Sequence, residues 1–273
     1  MHKLSIVSLA LAGMAMFCAG AARADQLADI KQKGTLVCGT LGIAEPFSFP
    51  NPQTRETQGY DVDFCAALAK SLGVKLELKL ISVPARIAEL QQGRVDVLAA
   101  NLGWTPERAE QIAFSNSYYV SLTKVASRHA DGFKKPTDLA GKRVAAAKGS
   151  TSEAGARKTI PNVDVVTFQD PPAIFLALQQ GKVDGIAVSE LVLVKWQKEV
   201  QGTAPIDILE PALFSEPWGI GMRKSETGLI IHVNGVLESM EKSGEAGKIF
   251  DKWLGMGTTY NLRRGFKIEP IKG

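Results

Sequence analysis

The first residues whose types and spacing suggest chemistry stand at the start of a predicted helix. Thr105-Pro106-Glu107-Arg108 combines an N-cap hydroxyl, a proline at the first helical position and an acid in the first turn. Arg108 then occupies the third helical position, where a cation opposes the helix dipole at a cost of roughly 0.3–1 kcal/mol. A bound anion held by Arg108 and nearby backbone N–H groups would offset that cost. The alternatives are an ion pair with Glu107 or Glu110, or a solvated arginine.

A second candidate anion site lies in the segment Lys148-Gly149-Ser150-Thr151-Ser152-Glu153. Ser150 and Glu153 have the spacing of a capping box, which would be a purely structural role. The same segment offers a flexible glycine, hydroxyl groups and exposed N–H groups to an anion, and Lys148 adds a positive charge. Both candidate segments occur at corresponding points of two similar halves of the chain. A small carboxylate held between the halves would therefore use both.

Patterns typical of enzymes and metal sites are missing from the sequence. It contains no Gly-x-Ser-x-Gly elbow, no phosphate-cradling glycine-rich loop, no His-Glu-x-x-His and no dinucleotide fingerprint. His129 and His232 are isolated, and Cys38 and Cys65 lack the spacing of metal ligands. We therefore predict no metal and no cofactor.

The N-terminus has the pattern of an export signal. Lys3 precedes an uncharged stretch from Leu4 to Ala22, and Ala22-Arg23-Ala24 places small residues two apart. We predict a cleaved signal peptide over residues 1–24, in preference to a transmembrane anchor, and a soluble protein exported to the periplasm. In that oxidising compartment Cys38 and Cys65 could form a disulfide, and two buried thiols are the alternative.

Charge and composition narrow the class of protein further. Of 32 basic and 28 acidic residues, cleavage removes two basic ones, so the net charge falls from +4 to +2. This balance gives no electrostatic reason to expect a nucleic-acid partner or an anionic membrane surface. With 45% apolar and 22% charged residues, the composition excludes disordered and fibrous proteins.

The elements that position the candidate residues alternate along the chain. Apolar strands followed by amphipathic helices are typical of a mostly parallel sheet flanked by helices, an α/β fold. We predict strands over 35–39, 74–81, 95–99, 142–147, 163–168 and 183–188, and helices over 62–72, 85–92, 106–111, 152–158 and 172–180.

An internal repeat indicates two similar α/β lobes. Leu90-Gln91-Gln92-Gly93-Arg94-Val95-Asp96 matches Leu178-Gln179-Gln180-Gly181-Lys182-Val183-Asp184, and each glycine can end its helix in the left-handed conformation. Two extended segments, Ser115–Val120 and Glu216–Met222, would cross between the lobes. We predict that lobe 1 is discontinuous, with residues 25–118 and 217–273, and that lobe 2 comprises residues 119–216.

One segment carries a family resemblance. Gly59-Tyr60-Asp61-Val62-Asp63-Phe64, followed by Leu68-Ala69 and Leu72, resembles the signature of bacterial extracellular solute-binding proteins of family 3, the polar amino acid-binding components of ABC importers. The resemblance runs from about Leu36 to Leu254. It includes Glu45-Pro46-Phe47, Gly93-Arg94-Val95-Asp96, Thr105-Pro106-Glu107-Arg108, Phe114-Ser115, Tyr118-Tyr119 and Gly149-Ser150-Thr151. It implies a two-lobed type II periplasmic-binding-protein fold, with two hinge strands that let the lobes close on a ligand.

The resemblance also implies roles for individual residues. Arg108 would bind the ligand α-carboxylate, and Thr151 would assist from the other lobe. The backbone at Gly103 would meet the α-amino group, and Phe47 would lie near the ligand side chain or its wall. Arg86 stands where members that select acidic side chains often carry a ligand-binding arginine, and a solvated helix residue is the equal alternative.

One position departs from the family pattern. Members usually place an Asp for the α-amino group five residues after the Asp of the second Gly-Lys-Val-Asp, and Ser189 stands there in this chain. Glu190 is adjacent, although neighbouring strand residues face opposite ways. Either a local shift brings Glu190 in, or the amine is held otherwise, or the ligand is not an ordinary α-amino acid.

The function implied by the resemblance is capture without chemistry. The protein would bind a small carboxylate-bearing solute, a polar amino acid above all, and present it to an ABC transporter permease. A monomer is the family's default. Two other classes stay open: a periplasmic dehydratase-like enzyme using Glu45, Glu153 or Glu190 as general acid, and a ligand-sensing module with a separate partner.

Overall fold

The structure, a computed structural model, describes residues 26–272, so the predicted signal peptide over 1–24 lies outside the described residues. None of the described helices is long and apolar enough to cross a bilayer. The helices are α1 (Gln26–Lys33), α2 (Tyr60–Leu72), α3 (Arg86–Gln91), α4 (Pro106–Gln111), α5 (Thr151–Thr159), α6 (Pro171–Gln179), α7 (Glu190–Val200), α8 (Thr227–Ser243) and α9 (Glu245–Leu254). The strands are β1 (Thr35–Thr40), β2 (Phe49–Pro50), β3 (Thr57–Gln58), β4 (Lys75–Leu80), β5 (Val97–Leu98), β6 (Ala113–Arg128), β7 (Arg143–Ala147), β8 (Asp164–Phe168), β9 (Gly185–Ser189) and β10 (Ile206–Met222).

Eight strands form one continuous sheet in the order β4-β1-β5-β10-β6-β9-β7-β8. On one side β1 pairs in parallel with β4 and β5, and on the other β7 pairs in parallel with β8 and β9. The long antiparallel strands β6 and β10 lie in the middle and belong to both halves. The predicted α/β architecture, with two halves joined by two extended strands, is therefore confirmed.

The predicted elements all occur, with ends that agree to within two residues. Gly93 and Gly181, which follow the repeated helices, have φ values of 69° and 67°, as the left-handed helix ends require. Helix α7 was not predicted from the sequence. Its start carries the apolar run Leu191-Val192-Leu193, and Ser189 makes no side-chain capping bond, so neither a polar stripe nor an N-cap marks it as a helix.

Aromatic side chains pack beneath the crossing strands. The Phe47 ring lies 4.7 Å from that of Trp218 and 5.0 Å from that of Tyr119, measured between centroids. The Tyr118 hydroxyl donates to the Asp61 carboxylate at 2.7 Å, and the Tyr60 hydroxyl donates to the Tyr118 carbonyl at 2.8 Å. Helix α2 is thereby fixed to strand β6, which sets the geometry of the first half at the crossing.

Cys38 on β1 and Cys65 on α2 form a disulfide, with Cα atoms 6.1 Å apart. Both cysteines are fully buried in the core of the first half. The alternative of two free thiols, which the sequence left open, is not what the structure shows.

Removal of this disulfide should destabilise the protein measurably. Closing a loop across a separation of 27 residues contributes about 3.5 kcal/mol through the entropy of the unfolded chain. We expect Cys38→Ala, Cys65→Ala and the double variant to lose the same free energy of unfolding in urea, because each removes the same bond. Losses that add from single to double variants would instead indicate two independent thiols. Reduction of the wild type by dithiothreitol is the control and should reproduce the loss.

Candidate functional site

A cavity of about 60 Å³ lies where the two halves meet. Its polar lining comes from both halves and from both crossing strands. The polar and charged lining residues are Arg86, Asn101, Thr123, Ser150, Thr151, Ser152, Ser189 and Glu216. Three of the six predicted site residues, Arg86, Thr151 and Ser189, are among them. Arg108, Gly103 and Phe47 do not line the cavity.

Arg108 is buried at the start of α4, where the Thr105 hydroxyl caps the helix by accepting from the Arg108 N–H at 3.2 Å. Its guanidinium donates to the Gly103 carbonyl at 2.6 Å and to the Gly149 carbonyl at 2.9 Å. Gly103 belongs to the first half and Gly149 to the second, so Arg108 joins them. Burial lowers the pKa of Arg108, and the negative charge of Glu216 opposes that shift. The alternatives of a solvated arginine or a pair with a neighbouring glutamate are not observed.

Thr151 is the first residue of α5, beyond the N-cap Ser150. The Ser150 hydroxyl accepts from the Glu153 N–H at 3.1 Å, and the Glu153 carboxylate accepts from the Gly149 N–H at 2.8 Å. The predicted capping arrangement therefore forms, with the carboxylate reaching one residue further back than expected. The Thr151 hydroxyl is free to point toward crossing strand β10, where it donates to Glu216 Oε1 at 2.9 Å.

Glu216 on β10 is a site residue that the sequence analysis missed. Its side chain is 7% exposed, and its Oε1 also accepts from Trp218 Nε1 at 3.1 Å. Its Oε2 is buried without a hydrogen-bond partner. Burial raises the pKa of Glu216, while the two hydrogen bonds and the charges of Arg108 and Arg86 oppose the rise. The signal available in the sequence was the spacing of Glu216 and Trp218, two apart on an extended segment and so on one face.

Gly103 borders this carboxylate directly. A methyl group built on Gly103 would lie 2.0 Å from Glu216 Oε2, which is far inside contact distance. Gly103 also forms an isolated antiparallel bridge with Trp218. The absence of a side chain at position 103 is thus what lets the Glu216 carboxylate lie beside the backbone of the first half.

Arg86 is 4% exposed, so the predicted alternative of a solvated helix residue is wrong. Its Nε donates to the Val83 carbonyl at 2.9 Å, and its Nη1 donates to the carbonyls of Ala100 at 2.9 Å and Asn101 at 2.7 Å. Burial lowers the pKa of Arg86 to about 9, and the charge of Arg108 adds to the effect. Arg86 therefore ties α3 to the segment after β5 while it also borders the cavity.

Ser189 and Glu190 are separated by the end of a strand. Ser189 is the last residue of β9 and lines the cavity, with its hydroxyl 3.1 Å from that of Ser121. Glu190 is the first residue of α7, not a strand residue, and it pairs with Lys124 at 2.7 Å. No local shift brings Glu190 to the cavity, so two of the three alternatives stay open: the amine is held otherwise, or the ligand is not an ordinary α-amino acid.

Phe47 lies in the aromatic cluster and is fully buried, so its side chain does not itself line the cavity. Trp218, which packs against Phe47, lines the cavity instead. The Phe47 carbonyl accepts from the Asp61 N–H at 2.9 Å, and the Pro46 carbonyl accepts from the Tyr60 N–H at 3.0 Å. These bonds satisfy the first N–H groups of α2, which is a structural task for this segment.

A family model described as bacterial extracellular solute-binding proteins, family 3, matches residues 36–256. The chain belongs to this family. The L-cystine-binding protein TcyJ of Escherichia coli (strain K12) is 31% identical to it, over 85% of this chain and 87% of the relative.

Solved structures agree with the family assignment. An ancestral arginine-binding protein bound to arginine is 34% identical, has a TM-score of 0.76, and covers 81% of this chain and 99% of its own. The ancestral amino acid-binding protein AncCDT-1, described as a precursor of cyclohexadienyl dehydratase, is 30% identical and has a TM-score of 0.75. The match covers 85% of this chain and 100% of AncCDT-1. This family 3 solute-binding protein therefore has the two-lobed type II periplasmic-binding-protein fold, and its cavity lies between the lobes.

Proposed function

We propose that this solute-binding protein captures an amino acid between its lobes in the periplasm and delivers it to the permease of an ABC importer. The observation that carries the proposal is the cavity at the lobe junction, bordered by a buried arginine, Arg86, and a buried carboxylate, Glu216. Charges of both signs suit a zwitterion. The names of the relatives, which bind cystine and arginine, support an amino acid as the ligand class.

In the proposed mechanism, lobe 1 comprises residues 25–118 and 217–273, and lobe 2 comprises residues 119–216. The register of the crossing strands supports these limits, because Tyr119 lies opposite Trp218 and Val120 opposite Pro217. Both chain crossings therefore occur at one level of the sheet. A hinge at that level would let the lobes rotate as units, and a monomer would suffice for the whole cycle.

Ligand entry requires the lobes to separate. A cavity of about 60 Å³ has room for roughly two water molecules, less than an amino acid needs. Opening would break the Arg108 bond to Gly149, which spans the two lobes, whereas the Thr151 bond to Glu216 ties lobe 2 to its own end of crossing strand β10. A ligand carboxylate would then offer Arg108 a charge-assisted partner in place of a carbonyl, and ligand binding would favour the closed form.

Capture rather than catalysis is the function we infer. Each glutamate considered as a general acid is engaged outside the cavity. Glu45 pairs with Lys195 at 3.0 Å, Glu153 with Arg157 at 3.0 Å, and Glu190 with Lys124 at 2.7 Å. The likeness to a dehydratase precursor keeps an enzyme as the contrasting hypothesis. The enzyme hypothesis predicts that the protein removes water from a cyclohexadienyl acid, and absorbance measures this reaction. We expect no turnover.

A calorimetric titration tests the proposal. The mature protein is titrated with the twenty common L-amino acids and L-cystine, each at the same pH and salt concentration. We expect at least one amino acid to bind with a Kd of about 1 µM or below, corresponding to roughly 8 kcal/mol. The matching 2-hydroxy acids serve as controls that keep the carboxylate and remove the ammonium group. Failure of every amino acid to bind would overturn the proposed function.

A further inference from the structure

Two residues that line the cavity each have a buried hydrogen-bond acceptor without a donor. Glu216 Oε2 and Asn101 Oδ1 are both buried and have no partner, and both residues line the cavity. Unpaired buried acceptors are costly, and a buried carboxylate oxygen more so than an amide oxygen. A ligand group with several N–H donors would satisfy these acceptors.

Glu216 feels the positive charges of Arg108 and Arg86, but neither arginine binds it directly. Among the described residues, no lysine, arginine or histidine forms an ion pair with it. Arg108 and Arg86, the nearest sources of positive charge, direct their hydrogen bonds to backbone carbonyls. The neutral donors Thr151 and Trp218 both bind Oε1, so Oε2 keeps its full capacity to accept.

Glu216 is also the single acidic residue among those that line the cavity in the described part of the chain. The lining residues Ser189, Ser150 and Thr151 offer hydroxyl groups but no anion. A zwitterionic amino acid brings one ammonium group with three donors, and a carboxylate is the strongest protein partner for it.

We propose that Glu216, assisted by Asn101, binds the ammonium group of the amino acid and thereby selects amino acids over carboxylic acids that lack an amine. The inference rests on the proposed function, because it assumes that the ligand is an amino acid. Gly103 makes the arrangement possible, since any side chain there would displace Oε2. Burial raises the pKa of Glu216, and an ammonium partner would reverse that rise.

Glu216→Gln is the decisive variant. The amide oxygen can keep the bonds from Thr151 and Trp218, while the amide nitrogen replaces Oε2 with a donor that repels an ammonium group. We expect the affinity for the tightest-binding amino acid of the twenty-one-member panel to fall by about 30-fold or more. The affinity for the matching 2-hydroxy acid should stay the same or rise, because a competing negative charge has been removed.

The ratio of the two affinities is the quantity to compare. Both are measured on one protein sample, so the ratio does not depend on the fraction that is folded. Wild type should favour the amino acid strongly, and Glu216→Gln should bring the ratio close to one. Asn101→Gly, which removes the second acceptor and tolerates the positive φ of 50°, should lower the ratio by a smaller factor.

Glu210→Gln is the matched control. Glu210 lies on the same strand, but its side chain is 65% exposed and pairs with Lys124 away from the cavity. In Glu210→Gln, the ratio of the affinities for the amino acid and the 2-hydroxy acid should equal that of the wild type. An unchanged ratio in Glu216→Gln, with amino acid binding intact in the wild type, would overturn the assignment of Glu216 alone. Absence of amino acid binding by the wild type would overturn the proposed function and this inference with it.

Discussion

Replacement of Arg108 by alanine should weaken amino acid binding by about 30-fold to several thousand-fold, the range for truncating one partner of a buried charge pair. Arg108 is 8% exposed and donates to carbonyls of both lobes, Gly103 and Gly149. The variant would lose the partner of the ligand carboxylate and one of the bonds that hold the lobes together. Calorimetry with the amino acid panel measures the loss directly.

Arg108→Lys separates charge from geometry. Lysine keeps the positive charge, but a single ammonium group cannot reproduce the planar fork that reaches both carbonyls. We expect a loss of about 10-fold or more even in this variant. Unlike Glu216→Gln, both Arg108 variants should weaken amino acids and 2-hydroxy acids to the same degree, because the two ligands share the carboxylate.

Lys224→Ala is the control for the removal of a cation from the same region. The exposed Lys224 ammonium donates to the Ala109 and Glu110 carbonyls at the other end of α4. Its loss changes the net charge by the same amount as Arg108→Ala and should leave the affinity within a factor of about two. Wild-type affinity in Arg108→Ala would remove Arg108 from the proposed site.

Arg108 could be singled out from the sequence because its signal is local. Four consecutive residues define the helix start, and the position of a cation there follows from helix geometry alone. Thr151 has the same kind of signal, since Ser150 and Glu153 fix the start of α5. Such features depend on neighbours within one turn, which a single sequence displays.

Glu216 was not found because its surroundings are assembled from distant segments. Thr151 is 65 residues away in the chain, and Gly103, against which the Glu216 carboxylate lies, comes from another segment again. Arg86 is a similar case, because the carbonyls of Ala100 and Asn101 that bury it follow a strand rather than its own helix. Extended segments can be predicted from residue types, but which partners they meet depends on the register of the sheet.

Phe47 shows that a recognised motif can also have a structural task. The segment Glu45-Pro46-Phe47 is part of the family resemblance, which implies a place near the ligand side chain or its wall. The structure places the Phe47 ring in the aromatic cluster and its carbonyl over the start of α2. This segment contacts the Gly59-Tyr60-Asp61 signature. The carbonyls of Pro46 and Phe47 accept hydrogen bonds from the N–H groups of Tyr60 and Asp61.

The contact between these two segments predicts that substitution of Gly59 lowers the stability of the protein strongly. Gly59 has a φ of 141°, and a methyl group built on it would lie 2.2 Å from the Phe47 carbonyl oxygen and 2.8 Å from the Ser48 nitrogen. Both are backbone atoms, so neither can turn aside as a flexible side chain would. Gly59→Ala should therefore separate the two segments and break the bond from the Asp61 N–H to the Phe47 carbonyl.

The cost of Gly59→Ala should be about 4 kcal/mol or more, which lowers Tm by roughly 8–16 °C in a protein of this size. Gly73, at the other end of the same helix, provides the control. Its φ is 69°, but a methyl group there would meet no atom within 4 Å, so Gly73→Ala should cost only about 1–2 kcal/mol. Thermal and urea unfolding of both variants give the comparison. Equal losses would mean that the signature glycine is required for its backbone angles alone, and that contact with the Phe47 carbonyl does not hold α2 in place.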